Sequence, residues 1–144
     1  MKYTLYNQTT GQIQRIYSDY NEDTSLTTCQ GLPCVAGEYS EQEYYIENGQ
    51  AVKKPTKPTS FNVVYTFDYA NKVWTIDQIE SEKKVRKLRD KELSVIDKIN
   101  PIWYSNLTAE QQQELQTFRQ ALLNVPQQSG FPTDVVWPGR PGWL

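Results

Sequence analysis

The run Leu107-Thr108-Ala109-Glu110-Gln111, continuing through Leu115, Phe118-Arg119 and Leu122 to Val125-Pro126-Gln127-Gln128, organises the C-terminal half of the chain. Thr108 and Gln111 have capping-box spacing, with Leu107 in the staple position before them. Leu115, Phe118 and Leu122 then fall on one narrow helical face. The spacing predicts a helix from about Ala109 to Leu123, stopped by Pro126, which has no N–H to donate. Gln127 and Gln128 can bond backbone groups left open at the helix end and turn the chain so that Phe131 returns to the helices. Beyond them Phe131-Pro132, Trp137-Pro138 and Trp143-Leu144 form an extended tail. It is too rich in Pro and Trp to make a core by itself, so it must be stapled to something. Phe131 and Trp137 are expected to cover the groove between helices, and Trp143 and Leu144 to reach a partner.

Working back, Asp77 through Ile99 lacks Gly and Pro and is dense in helix formers. Asp77 is a fair N-cap with Glu80 three residues on. Val85, Leu88, Val95 and Ile99 share one stripe, interrupted by Glu92 and broadened by Leu93 and Ile96. The six cations from Lys83 to Lys91 are read as its solvated side, and Asn100-Pro101 as its end.

Upstream the period becomes that of strands. Residues 2–18 read as a hairpin around Asn7-Gln-Thr-Thr-Gly11, and residues 19–42 mostly as loop. Glu43–Glu47 and Gln50–Lys54 flank Asn48-Gly49, a strong hairpin signal. Phe61–Asp68 and Lys72–Ile76 form a third hairpin, turning at Tyr69-Ala-Asn71. The expected architecture is α+β. An aromatic-rich antiparallel N-terminal region of three hairpins (residues 1–76) precedes a region of two helices and an extended Pro/Trp tail (residues 77–144).

Composition narrows the function. The 144 residues carry a net charge of −2, which gives no case for nucleic acid or an anionic membrane as partner. No segment is long and apolar enough to span a bilayer, and Met1–Asn7 lacks the apolar core of a signal peptide, so the cytoplasm is the expected location. Four Trp, ten Tyr and four Phe suit either an aromatic sheet or an extensive protein interface. Histidine is absent, which removes the commonest general base and metal ligand. Cys29 and Cys34 fall short of a zinc quartet and read as two reduced thiols in a loop. Asn21-Glu22-Asp23 lacks the Gly and closing Glu of a calcium loop. Neither a phosphate loop nor a nucleophile elbow is present. The expectation is a non-enzymatic protein without cofactor or metal.

Two segments carry a resemblance. The first is Arg86-Lys-Leu-Arg89-Asp90 to Asp97. The second runs from Leu107-Thr108 through Phe118-Arg119-Gln120 to Pro126-Gln127-Gln128, Phe131-Pro132 and Trp137-Pro138. Together they resemble the C-terminal half of the bacteriophage tail assembly chaperone family, which includes tail fibre assembly proteins. The hairpin from Tyr45 to Trp74 is similar to the sheet upstream of that half in many relatives. The likeness extends over about residues 44–141. Lys98 stands where many relatives have an aromatic residue, and Trp103 is the candidate substitute. The resemblance implies a protein used to build a phage tail. Its partner would be a tail fibre, a trimer in slender fibres, or another tail protein, with self-association left open. It would work in the host cytoplasm during assembly or stay in the virion tail. Arg86, Arg89, Asp90, Asp97, Phe118, Arg119, Pro126, Gln127, Gln128, Phe131, Pro132, Trp137 and Pro138 are the partner-binding or structural candidates by this likeness, and Trp143 joins them as an exposed anchor. Three readings follow: an assembly chaperone, a small structural part such as a fibre adaptor or baseplate-associated protein, and a carbohydrate-binding module that stacks sugars on its aromatics.

Overall fold

A computed structural model describes residues 1–18 and 25–144, so Asn21-Glu22-Asp23 lies outside the described residues. The chain divides into two compact units, residues 1–58 with 66–75 and residues 59–65 with 76–144.

In the first unit, β1 (Lys2–Tyr6) and β2 (Ile13–Ser18) make the expected hairpin, with Tyr3 opposite Tyr17 and Leu5 opposite Arg15. Asn7 shapes the turn, its Oδ1 accepting from the backbone N–H of Thr9 (2.9 Å) and Thr10 (3.1 Å). Gly11 closes it at φ 78°, where a Cβ would run into the Ile46 carbonyl.

The stretch expected to be loop holds two more strands, β3 (Thr28–Cys29) and β4 (Leu32–Ala36). Gln30 and Gly31 both take positive φ, 52° and 77°, the geometry of a two-residue hairpin turn that Asn-Gly would have advertised. β4 then inserts beside β1, giving the order β2-β1-β4-β3, with Leu5 opposite Cys34. Tyr3, Leu5, Cys29 and Cys34 form the buried cluster of this sheet. Thr4 is also fully buried; its hydroxyl donates to the Gly37 carbonyl (2.9 Å) and accepts from the Tyr39 N–H (3.0 Å). The cysteines therefore sit on strands, both as buried free thiols. Burial, reinforced by the neighbouring Cys29, pushes the Cys34 thiol up to about 12.

β5 (Tyr44–Glu47) and β6 (Gln50–Lys53) pair as predicted around Asn48-Gly49, both at positive φ. In the third hairpin β7 covers only Tyr65–Asp68, facing β8 (Val73–Ile76), so Phe61–Val64 is not strand. The backbone of Val64 is engaged elsewhere: its N–H donates to Ser81 Oγ (2.9 Å) and its carbonyl accepts from the Asp77 N–H (2.8 Å). Asp68 holds the turn through bonds from the Ala70 and Asn71 N–H groups and the Asn71 side chain. The Asn71 amide, then these backbone N–H groups, keep its carboxyl below the usual carboxylate value.

The second unit is built on α1 (Gln78–Asp97), α2 (Pro101–Ser105) and α3 (Ala109–Leu123). Asp77 caps α1, accepting from the Glu80 N–H at 3.0 Å. The short α2 is an addition to the two predicted helices. Asn100-Pro101 does follow the end of α1, but Asn100 also caps the Ile102 N–H (2.8 Å), and proline is suited to the first helical position. Thr108 and Gln111 close the predicted capping box of α3 reciprocally. The inward face of α1 is Ser81, Val85, Leu93 and Ile96; Val95, expected on it, is exposed. Leu93 and Ile96 pack with Leu115, Phe118 and Leu122 of α3, the three residues its spacing predicted.

Candidate partner-binding surface

The first half of α1 presents its cations outward, but two of them are drawn onto the protein. The Arg86 guanidinium lies 5.3 Å from the centre of the Phe131 ring, so the tail returns to α1 through a cation–π contact. Arg89 directs Nε (2.9 Å) and an Nη (2.7 Å) to Oδ1 of adjacent Asp90. Only 17% of the Arg89 side chain is exposed against 60% for Asp90. The side-chain bonds of this pair are to each other. At the far end of α1, Asp97 accepts from Arg119 Nε of α3 at 3.0 Å. Both groups are about half exposed, so screening by water limits this pair to under about 1 kcal/mol.

Past α3 the chain makes one 3-10 turn over Val125–Gln127, with Pro126 inside it and Val125 fully buried. The Gln127 amide, with Nε2 turned inward, donates to the carbonyls of Leu123 (3.2 Å) and Asn124 (3.1 Å). Gln128 reaches forward instead. Its Nε2 donates to the Val136 carbonyl (2.8 Å), and its Oε1 accepts from the Val136 N–H (2.9 Å). One side chain thus serves both backbone groups of a residue as a neighbouring strand would. Between these points the chain doubles back at Gly130, where a Cβ would strike the Asp134 carbonyl. Pro132, joined to Phe131 by a cis peptide, is fully buried.

Trp137 is half-buried, and its indole N–H is enclosed without an acceptor. An unmet buried donor of this kind costs roughly 1–3 kcal/mol. With Phe61, Leu88, Phe118, Leu122 and Pro138 it lines an open groove of about 350 Å³. Trp143 does not project as the expected anchor. It and Leu144 pack against the α1–α3 core, and the Trp143 N–H donates to Glu114 Oε2 at 2.7 Å. Its ring lies 6.2 Å from that of Trp103, the residue proposed to replace the missing aromatic after Asp97. The physical reason is that α3 leaves apolar surface uncovered beside a carboxylate, which satisfies both ends of an indole.

In the first unit a lysine occupies an aromatic nest that the sequence did not announce. Lys54 is only 8% exposed. Its Nζ donates to the Glu41 carbonyl (2.6 Å) and the Tyr69 hydroxyl (3.0 Å), and lies 4.7, 4.9 and 5.4 Å from the rings of Phe67, Tyr69 and Trp74. Burial lowers its pKa, opposed by the charge of Glu41. Among the described residues no group of three His, Cys, Asp or Glu is placed to hold a metal ion, and no helix is long and apolar enough to cross a membrane.

Residues 82–142 match the family model described as phage tail assembly chaperone protein. These residues, somewhat under half of the chain, are similar to that family. No curated protein and no solved structure matched the chain. That match supports a role in phage tail assembly.

The matched segment holds most of α1, all of α2 and α3, the Gln128–Val136 bridge and Trp137. The hairpin from Tyr45 to Trp74 and residue Trp143 fall outside it. Of the candidates named from sequence, the structure joins Arg86 to Phe131, Arg89 to Asp90, and Asp97 to Arg119, and puts Phe118 in the core. Pro138 lines the Trp137 groove. Sequence reasoning missed Ser81, Gly130, Glu114 and Phe61. The signal for Gly130 was present, since a glycine two residues before a proline marks a turn. Ser81, Glu114 and Phe61 gain their roles only from residues distant in sequence.

Proposed function

We propose that the chain is a non-enzymatic assembly chaperone that binds a phage tail fibre, or another tail protein, and holds it while the tail is built in the host cytoplasm. The observation that carries this reading is the family match over residues 82–142. A tail tied down along its length supports it: Arg86, Gln128 and Glu114 each fix a different part of residues 128–144, leaving a shaped apolar surface on the helices. Such a surface can shield a partner's apolar face until that partner meets its own neighbours.

The aromatics of the first unit weigh against sugar binding. Phe67 and Tyr69 spend their faces on each other and on Lys54, and Trp74 on Phe67, Lys54 and Lys57. Co-expression with the adjacent fibre gene, followed by pull-down on a tagged chain, tests the reading. Co-purification of one tail protein is the expected result; failure with every tail protein of the same phage overturns it. Mass spectrometry of purified particles then separates chaperone from component. A chaperone is absent or far below one copy per fibre, whereas a stoichiometric amount assigns the chain to the finished tail as an adaptor or baseplate-associated part.

A further inference from the structure

The groove over Trp137 has an apolar floor and a cationic rim. Leu88 of α1 and Phe118 and Leu122 of α3 line it, with the Trp137 indole. Phe61 stands at its edge, 75% exposed, and Val136, next to Trp137, is 76% exposed. Single exposed apolar residues are ordinary. A large ring left open at the mouth of an apolar groove is not.

The charges are arranged around the same opening. Lys91 and Arg140 line it, opposed by Glu92. Lys84 and Lys87 precede Lys91 by seven and four residues on α1, and Lys84 stands one turn before Leu88. Among the described residues none of these four cations forms an ion pair, whereas Lys83, Arg89 and Arg119 each have a carboxylate. The chain as a whole carries −2, so this positive field is local. Unpaired cations beside an apolar groove complement a segment that alternates acidic residues with a bulky apolar anchor.

We infer that the groove of Phe61, Leu88, Phe118, Leu122 and Trp137 docks an acidic peptide segment of a partner protein, seating one large apolar side chain on the floor while carboxylates meet Lys91 and Arg140. The peptide chemistry follows from the groove itself; only the partner's place among tail proteins rests on the assembly reading. Lys84 and Lys87 extend the attraction along α1 and speed encounter more than they hold the complex.

Fluorescence anisotropy with short labelled peptides tests this on the full chain. One peptide centres a Phe among Glu and Asp, a second replaces the acids with Lys, and a third replaces Phe with Ala. The variants are Lys91→Glu/Arg140→Glu and Phe61→Ala, at exposed positions, with retained fold checked by circular dichroism. The acidic Phe peptide is expected to bind, to weaken as salt is raised, and to lose about tenfold or more in affinity against either variant. Equal binding of the Lys peptide, absence of binding, or affinity indifferent to both variants overturns the inference. So does a dimer in light scattering that Phe61→Ala converts to monomer, because a second copy then fills the groove. In the tail-protein pull-down, equal recovery by wild type and Lys91→Glu/Arg140→Glu rejects the groove while leaving the assembly reading intact. Loss of recovery by wild type itself rejects the assembly reading, and the peptides then judge the groove alone.

Discussion

Gln128 bonds both backbone groups of Val136, its Oε1 2.9 Å from the N–H and its Nε2 2.8 Å from the carbonyl. The loop between them is closed by an amide that copies the donor–acceptor pair of a peptide unit. Gln128→Ala removes both bonds at a part-exposed site and is expected to cost about 1–2 kcal/mol, lowering Tm by several degrees. Gln128→Glu keeps the acceptor for the N–H but sets a carboxylate against the Val136 carbonyl, so it is expected to lie at or below Gln128→Ala. A circular-dichroism melt decides it, and wild-type Tm for both variants would remove the bridge from the stability of the tail.

Ser81 is fully buried and its hydroxyl is bonded to both the N–H and the carbonyl of Val64. Ser81→Ala strips the N–H of its acceptor in a part-buried setting, with an expected loss of about 1–3 kcal/mol. Urea titration should show a lower midpoint with an unchanged slope.

Deleting Trp143 and Leu144 is expected to lower Tm, because both pack on the core of α1 and α3. A fully buried aromatic is worth roughly 3–5 kcal/mol, and for a half-buried one the expected loss is about half that. Glu114→Gln separates the two contributions: it keeps the packing of the indole and weakens only the bond to its N–H. A melt of the shortened chain at wild-type temperature would restore Trp143 as an anchor without a structural duty.

The thiol of Cys34 ionises at an ordinary value of 9.0 when solvated and at about 12 in the folded chain. Between those values the folded state holds a proton that the unfolded state has released. Its contribution to stability is therefore complete below pH 9 and is lost as pH rises toward 12. Cys34→Ala is expected to melt lower at neutral pH, since it leaves a small cavity, but to lose less on going from pH 8 to pH 10.5 than wild type does. Parallel slopes for the two proteins would place the alkaline loss on another group.

Much of the helical half was legible because its signals are local. The capping box Thr108–Gln111 and the stop at Pro126 bracket α3, and three apolar residues at 3-then-4 spacing name its buried face. Asn48-Gly49 announced its hairpin for the same reason. What escaped is non-local or written in less usual letters. Gln30-Gly31 takes the backbone geometry of Asn-Gly without its signature, and β4 finds β1, as in the pair Leu5–Cys34, across a stretch of sequence that alternation cannot pair. The Asn100-Pro101 stop is equally a start, which hid α2. Val64 reads as strand until the helix cap takes its backbone bonds. The residues of the candidate surface were named from family likeness, yet Phe61 and Arg140, which give the groove its edge and part of its charge, have no local signal at all.

The place of Val64 bears on how the protein can be taken apart. Composition invites a cut between Ile76 and Asp77, where hairpins give way to helices. Such a cut would strand Thr59–Tyr65 on the wrong piece, stripping the start of α1 of the Val64 groups that bond Asp77 and Ser81, and the groove of Phe61. Starting a fragment at Thr59 instead carries off residues 66–75, and with them Phe67, Tyr69 and Trp74, which enclose Lys54. The residues of the two units alternate in sequence, so no single scission yields both intact.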